Sequence, residues 1–112
     1  MQVSVHQDGT VIGTAILEHL DPPMGIAFGP FLPRDRYNRD QHANTVEGDY
    51  IGDRGRALSV HTDEHGRLDV LIAIDDRADP KVGRQLTVWF QDSSHFAALF
   101  STHEDYQTYY GR

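Results

Sequence analysis

The sequence predicts an α+β fold: a mainly antiparallel, bent or partly closed β-sheet of about five or six strands, with one or two short C-terminal helices. Two turn signals predict the sheet, because Asp8-Gly9 and residues 63–66 each separate β-rich runs. A third observation predicts the helices, since Asp92 precedes a short segment that can be helical. An all-β barrel is the alternative, and it requires residues 95–100 to be a strand.

The first hairpin is predicted from residues 3–6 and 10–17, which are β-rich and flank the Asp-Gly pair. Asp-Gly between such runs is among the strongest local signals for a hairpin. The register stays open, because a two-residue turn pairs Val5 with Ile12 whereas a three-residue loop pairs Val5 with Val11.

The segment 21–33 contains four prolines and two glycines, yet its alternation predicts a short strand. One face is bulky and the other is nearly bare: the bulky set is Met24, Ile26 and Phe28, and the bare set is Gly25, Ala27 and Gly29. A bare face lets another backbone or a ligand approach closely. We predict close packing against a neighbouring element, with Phe31 and Leu32 filling the core.

A short helix is predicted within residues 33–44. Pro33 suits the first helical position, and no further proline or glycine follows it in this segment. The apolar stripe of this helix is short, since it consists essentially of Tyr37 and Ala43.

The central hairpin is predicted from residues 57–75, where two β-rich runs flank a turn that begins at Asp63 and ends at Gly66. Asp first and Gly fourth suit a type I turn followed by a left-handed residue. The predicted register places His61 opposite Asp69 and buries one face of the hairpin. That core face consists of Leu58, Val60, Leu68, Val70, Ile72 and Ile74.

The C-terminal third is predicted to contain one more strand, at residues 84–90, followed by two short helices. Asp92 can cap a helix at residues 95–100 by accepting hydrogen bonds from free backbone N–H groups. The sequence Ser-Thr-His-Glu at residues 101–104 fits a capping box before a last helix that runs to Tyr110.

Length and composition bound the class of protein. At 112 residues the chain is expected to form one domain, residues 1–112. Its formal charge of −7 disfavours nucleic-acid binding and favours a basic protein partner. No apolar run is long enough to span a bilayer, so no membrane association is expected. The lack of cysteine predicts a reducing, cytoplasmic location.

Four side chains around the central turn form the candidate metal site: His61, Asp63, His65 and Asp69. Histidine nitrogen and carboxylate oxygen are common ligands of zinc and other divalent ions. In the predicted register three of them share one face near the turn, and His65 lies in the turn itself. The competing interpretation is a solvated face on which His61 and Asp69 form an ordinary cross-strand pair.

Four aromatic residues form the candidate protein-binding site: Trp89, Tyr106, Tyr109 and Tyr110. Trp89 points away from the core face of its strand, and the three tyrosines share one face of the last helix. Such side chains are common at binding hot spots. The competing interpretation is that the last helix covers Trp89 through these tyrosines.

We predict a non-catalytic protein-binding module, such as an immunity or inhibitor protein that neutralises a basic partner. The chain is small and acidic and has none of the common catalytic motifs, so no cofactor is expected. One alternative is a small enzyme that uses a metal ion, or a His–Asp pair as acid and base. Another is a homodimer or scaffold component that associates through the aromatic residues.

Overall fold

The computed structural model describes residues 1–78 and 83–111, and in this part of the chain one curled, half-barrel sheet is followed by two short helices. The predicted α+β class is confirmed. The strands are β1 (Gln2–Gln7), β2 (Thr10–Ile16), β3 (His19–Asp21), β4 (Ile26–Pro33), β5 (Thr45–Val46), β6 (Asp49–Tyr50), β7 (Ser59–Thr62), β8 (Gly66–Arg67), β9 (Val70–Asp76) and β10 (Arg84–Phe90). The helices are α1 (Arg39–His42), α2 (Ser93–Phe100) and α3 (Glu104–Tyr110).

The strands lie in the order β6-β5-β9-β10-β4-β2-β1-β7-β8, and β3 pairs with β4 beside this path. Pairing is antiparallel except between β5 and β9, which run parallel. The inner face of the curled sheet holds the core, whose largest fully buried apolar side chains are Val3, Val5, Ile12, Leu17, Val60, Ile74, Leu86 and Val88. Burial of such side chains is the main source of stability in a domain of this size.

The first hairpin has the two-residue turn. Asp8 and Gly9 both have positive φ, 51° and 81°, which is the type I′ geometry that matches the twist of the flanking strands. Pairing starts in the corresponding register, and a β-bulge then places Val5 opposite Gly13 instead of Ile12.

The predicted register of the central hairpin is wrong by two residues. His61 pairs with Arg67, not with Asp69, and Thr62 pairs with Gly66. The chain then leaves β7, and β9 pairs with β10 along its length. The other edge of β9 is occupied by β5 and by the 3-10 turn of residues 55–57, so no edge remains for β7. The predicted core face is nevertheless inside, because all its members are buried except Val70, which is half-buried.

The bare face of β4 packs against a neighbouring backbone, as predicted. Ala27 and Gly29 are buried on the inner side, and a Cβ at Gly29 would overlap the backbone carbonyl of Ile16. Phe31 fills the core, whereas the prediction for Leu32 is wrong, since its side chain is 59% exposed.

Residues 95–100 are helical, so the all-β alternative is wrong. The Asp92 carboxylate caps α2 by accepting hydrogen bonds from the backbone N–H groups of Ser94 and His95, at 2.8 and 3.4 Å. Phe96 and Phe100 of this helix pack on the inner face of the sheet. None of the helices in residues 1–78 and 83–111 has the length and apolar character needed to cross a bilayer.

The cap of the last helix differs from the predicted capping box. His103 caps α3, because its Nδ1 accepts a hydrogen bond from the backbone N–H of Asp105 at 3.0 Å. Ser101 has helical dihedral angles, φ −60° and ψ −23°, whereas an N-cap residue needs an extended backbone. The helix ends at Tyr110, as predicted.

A buried histidine joins α1 to the first hairpin. His42 is 2% exposed; its Nδ1 accepts a hydrogen bond from the backbone N–H of Asn38 at 2.9 Å. A backbone N–H can only donate, so Nδ1 carries a lone pair and Nε2–H donates to the Gln7 side-chain oxygen at 2.6 Å. Burial lowers the pKa of His42 below its ordinary value of 6.5.

We expect the free energy of unfolding to fall as the pH decreases below about 6.5. The unfolded chain binds a proton at His42 more readily than the folded chain, so this contribution is complete above 6.5 and is lost as the pH falls through the lowered pKa. The slope from one such group is at most about 1.4 kcal/mol per pH unit. Urea unfolding at a series of pH values should show a smaller slope in His42→Asn, whose amide oxygen can still accept from Asn38. If the free energy of unfolding of His42→Asn depends on pH as steeply as that of the wild type, His42 is not the source of this pH dependence.

Candidate functional site

Three apolar side chains lie side by side on the outer surface of the sheet. Trp89 of β10 is paired with Leu71 of β9 on one side and with Ile26 of β4 on the other. Directly paired residues project from the same face of a sheet. The neighbours Val88 and Phe90 are buried inside, so these three side chains point outward. We call Leu71, Trp89 and Ile26 the outer apolar face.

A groove of about 740 Å³ adjoins the outer apolar face. Leu71 and Trp89 line it together with Tyr50 of β6, and the exposed fractions of Leu71 and Tyr50 are 59% and 69%. An apolar side chain that is mostly exposed is common on its own, but an adjoining set of them beside a groove is characteristic of a binding surface.

The charged residues that line this groove are Asp53, Arg56 and Arg67. The Arg56 Nε atom lies 3.0 Å from a carboxylate oxygen of Asp53, so these two charges are paired. Arg67 is exposed and forms no ion pair with the described residues. The groove therefore combines an apolar wall with a guanidinium group that is available to a ligand.

The three tyrosines of the predicted protein-binding site do not lie on the same surface as Trp89. Tyr106 and Tyr110 line a separate groove of about 580 Å³, between α2, α3 and the 3-10 turn of residues 22–24. Tyr109 is 55% exposed, and its ring packs edge-on against that of Tyr110, with the ring centroids 4.9 Å apart. The predicted aromatic set is therefore divided: Trp89 lines one groove, Tyr106 and Tyr110 line another, and Tyr109 lines neither.

The predicted metal ligands are only partly together. His61, Asp63 and His65 line a third cavity, of about 510 Å³, whereas the Asp69 carboxylate accepts a hydrogen bond from the Gln91 side chain at 3.2 Å. The described residues contain no cluster of three or more histidine, cysteine, aspartate or glutamate side chains arranged to hold a metal ion.

His61 instead contacts a histidine of the first hairpin. The rings of His6 and His61 stack with centroids 4.1 Å apart. Each Nε2 atom lies 2.8 Å from a serine hydroxyl two residues earlier in its own strand, Ser4 for His6 and Ser59 for His61. Burial and the neighbouring His61 lower the pKa of His6 below 6.5. We call these four residues the histidine–serine cluster.

A signal for this cluster is present in the sequence, because the tripeptide Ser-Val-His occurs at residues 4–6 and again at residues 59–61. The two copies pair antiparallel, so that Ser4 stands opposite His61 and His6 stands opposite Ser59. The central Val-Val pair faces the core, which directs the serines and histidines outward. Sequence reasoning about the central turn alone did not connect His61 with His6.

No family model, no curated protein and no solved structure matches the chain.

Proposed function

We propose that the protein is a non-catalytic binding module that docks a partner protein on the outer apolar face. The observation that carries this proposal is the outward-facing row of Leu71, Trp89 and Ile26 across three adjacent strands, in which Leu71 is exposed and the other two are half-buried. Exposed apolar patches with a polar rim mark interaction surfaces, and tryptophan is enriched among residues that contribute most to binding.

The position of the helices supports this proposal. α2 packs on the opposite side of the sheet, where Phe96 and Phe100 contact Phe90 with ring centroids 5.5 and 5.7 Å apart. The fold thus covers the inner face of β10 with its own helix, and among the described residues no helix packs on the outer apolar face.

Two electrostatic features of the chain indicate the kind of partner that it would bind. The charge of −7 speeds the encounter with a partner of net positive charge, and raised salt slows that encounter. At the groove itself, the exposed Arg67 guanidinium, which has no ion pair among the described residues, favours a docking segment that is apolar and carries a carboxylate. An immunity or inhibitor protein that neutralises a basic partner is the concrete form of this proposal. The absence of cysteine is compatible with action in the reducing cytoplasm.

We expect Leu71→Asp to abolish capture of the partner, because it places a carboxylate in the middle of the apolar contact. Leu32→Asp is the matched control, since Leu32 has the same exposed fraction, 59%, and lies on β4 outside this groove. The measurement is affinity capture from a native lysate with the wild type and both variants, at low and high salt.

A protein captured by the wild type and by Leu32→Asp, but not by Leu71→Asp, supports the proposal. Recovery that is equal for all three proteins, or of no partner at either salt, contradicts it. Light scattering of the same samples tests the homodimer or scaffold alternative. A wild-type dimer that becomes a monomer in Leu71→Asp would show that the molecule docked on this face is a second copy of the chain.

A further inference from the structure

The groove between α2, α3 and the 3-10 turn of residues 22–24 is built from segments of the chain that lack basic side chains. Its lining residues all belong to residues 22–25, 90–97 and 106–110. All ten lysines and arginines of the chain except Arg112 lie in residues 34–84. The acids of residues 1–33 and 85–111 are Asp8, Glu18, Asp21, Asp92, Glu104 and Asp105. A groove whose surroundings carry charge of one sign raises the local concentration of the opposite charge, so this groove favours a cation.

Two of these acids adjoin the lining residues of the groove. Asp21 directly precedes Pro22, and Asp92 lies between Gln91 and Ser93. Both acids are exposed, and neither forms an ion pair with the described residues. The Oδ1 atom of Asp92 caps α2, whereas its Oδ2 atom forms no hydrogen bond with a described residue. We call Asp21 and Asp92 the rim carboxylates, because both can accept hydrogen bonds from a cation at the edge of the groove.

Aromatic rings form part of the wall of the groove. The rings of Tyr106 and Tyr110 lie 4.7 Å apart between centroids, and Tyr110 is 48% exposed. Tyr106 is half-buried, and its ring lies 6.1 Å from that of the buried Phe96, which fixes it against α2. The face of an aromatic ring carries partial negative charge and attracts cations. The groove therefore offers two kinds of contact to a cation, ring faces and carboxylates.

We propose that this groove binds an arginine-containing basic segment of a partner protein. The guanidinium stacks on the tyrosine rings and donates hydrogen bonds to a rim carboxylate. Arginine suits both contacts, because its planar group stacks on aromatic rings and presents its N–H donors in a fork that matches a carboxylate. This groove shares no lining residue with the groove beside the outer apolar face, so the inference goes beyond the proposed function.

The test is NMR titration of the isotope-labelled protein with the peptide acetyl-Arg-Arg-Arg-amide. We expect saturable shifts of backbone amide signals within residues 91–97 and 106–110, and weaker binding at raised salt. The peptide acetyl-Lys-Lys-Lys-amide has the same charge. It should bind about 2- to 5-fold more weakly, because a lysine ammonium stacks less well on a ring. Tyr110→Leu should weaken binding of the arginine peptide by a similar factor of about 2 to 5.

The double variant Asp21→Asn/Asp92→Asn removes both rim carboxylates, and asparagine can still cap α2. It should weaken binding of the arginine peptide by about 5- to 10-fold, as expected for two exposed ion pairs. The matched control is Asp63→Asn/Glu64→Gln, which removes two exposed acids that do not line this groove and should bind nearly as well as the wild type. Circular dichroism of each variant establishes that the fold is intact. Lack of saturable binding, equal affinity for the two peptides, or equal weakening in the two double variants would overturn the proposal.

Discussion

Gly29→Ala is expected to lower the free energy of unfolding by about 3 kcal/mol or more. The Cβ of an alanine at this position would overlap the backbone carbonyl oxygen and carbon of Ile16, where the end of β2 passes over β4. A flexible side chain could move away from such an overlap, but a backbone carbonyl held in a sheet cannot move without displacing its strand. Because domains of this kind have total stabilities of about 5–15 kcal/mol, the loss is a large fraction of the whole.

Gly66→Ala separates this steric effect from the ordinary conformational cost of replacing glycine. Gly66 has a left-handed backbone with φ 66°, and a Cβ there would meet nothing within 4 Å. Its replacement should therefore cost only about 1–2 kcal/mol, which is the penalty for an L-residue in that conformation. Urea unfolding of both variants makes the comparison. Equal losses would contradict the close approach of Ile16 to β4.

Asp76→Ala is expected to cost about 3 kcal/mol, because it removes the centre of a buried polar cluster. The carboxylate of Asp76 is fully buried; one of its oxygens accepts hydrogen bonds from the Tyr37 hydroxyl at 2.5 Å and from Arg84 Nε at 3.0 Å. Loss of the carboxylate leaves both donors without this acceptor. The Arg84 side chain is partly exposed, so water compensates its charge and keeps the cost at the lower end for a buried pair.

A double-mutant cycle with Tyr37→Phe measures how much of this cost belongs to the hydroxyl. Burial and the hydrogen bond to Asp76 raise the pKa of Tyr37 well above its ordinary value, so the hydroxyl stays protonated and acts as the donor. Tyr37→Phe alone should cost about 1–2 kcal/mol, and the double variant should be less destabilised than the sum of the two single variants. Additive losses in urea unfolding would show that the two groups do not interact.

Local features of the sequence predicted α2, the end of α3 and the turn at Asp8-Gly9, whereas the predicted start of α1 is wrong, because Pro33 ends β4 and the helix begins at Arg39. Asp92 could be identified as a cap because its position is decided by backbone N–H groups two and three residues away. Gly66 likewise marked its turn through its own backbone angle. The predicted register of the central hairpin is wrong at the turn itself, because Thr62 pairs with Gly66 across a loop of residues 63–65. The separation of β9 from β7 has a non-local cause, since it depends on which strands occupy the two edges of β9.

The candidate sites were predictable only in part, because they depend on which strands pair, and those strands are far apart in the chain. The outward direction of Trp89 follows from alternation along β10, but its neighbours Leu71 and Ile26 belong to strands whose pairing the sequence did not reveal. The metal prediction selected His61 and sought its partners around one turn. The structure brings His6 to it from a strand more than fifty residues away in the chain, because β1 and β7 are adjacent.

Docking of a partner protein on the outer apolar face, as we propose, can be measured directly at Trp89, because it is the single tryptophan of the chain. Labelling with fluorotryptophan gives one fluorine NMR signal, from Trp89, and the captured partner is then added to the labelled protein. We expect the signal to shift or broaden on binding, and not to change when the same amount of partner is added to Leu71→Asp. A partner that binds the wild type, as shown by calorimetry, without changing the Trp89 signal would contradict it.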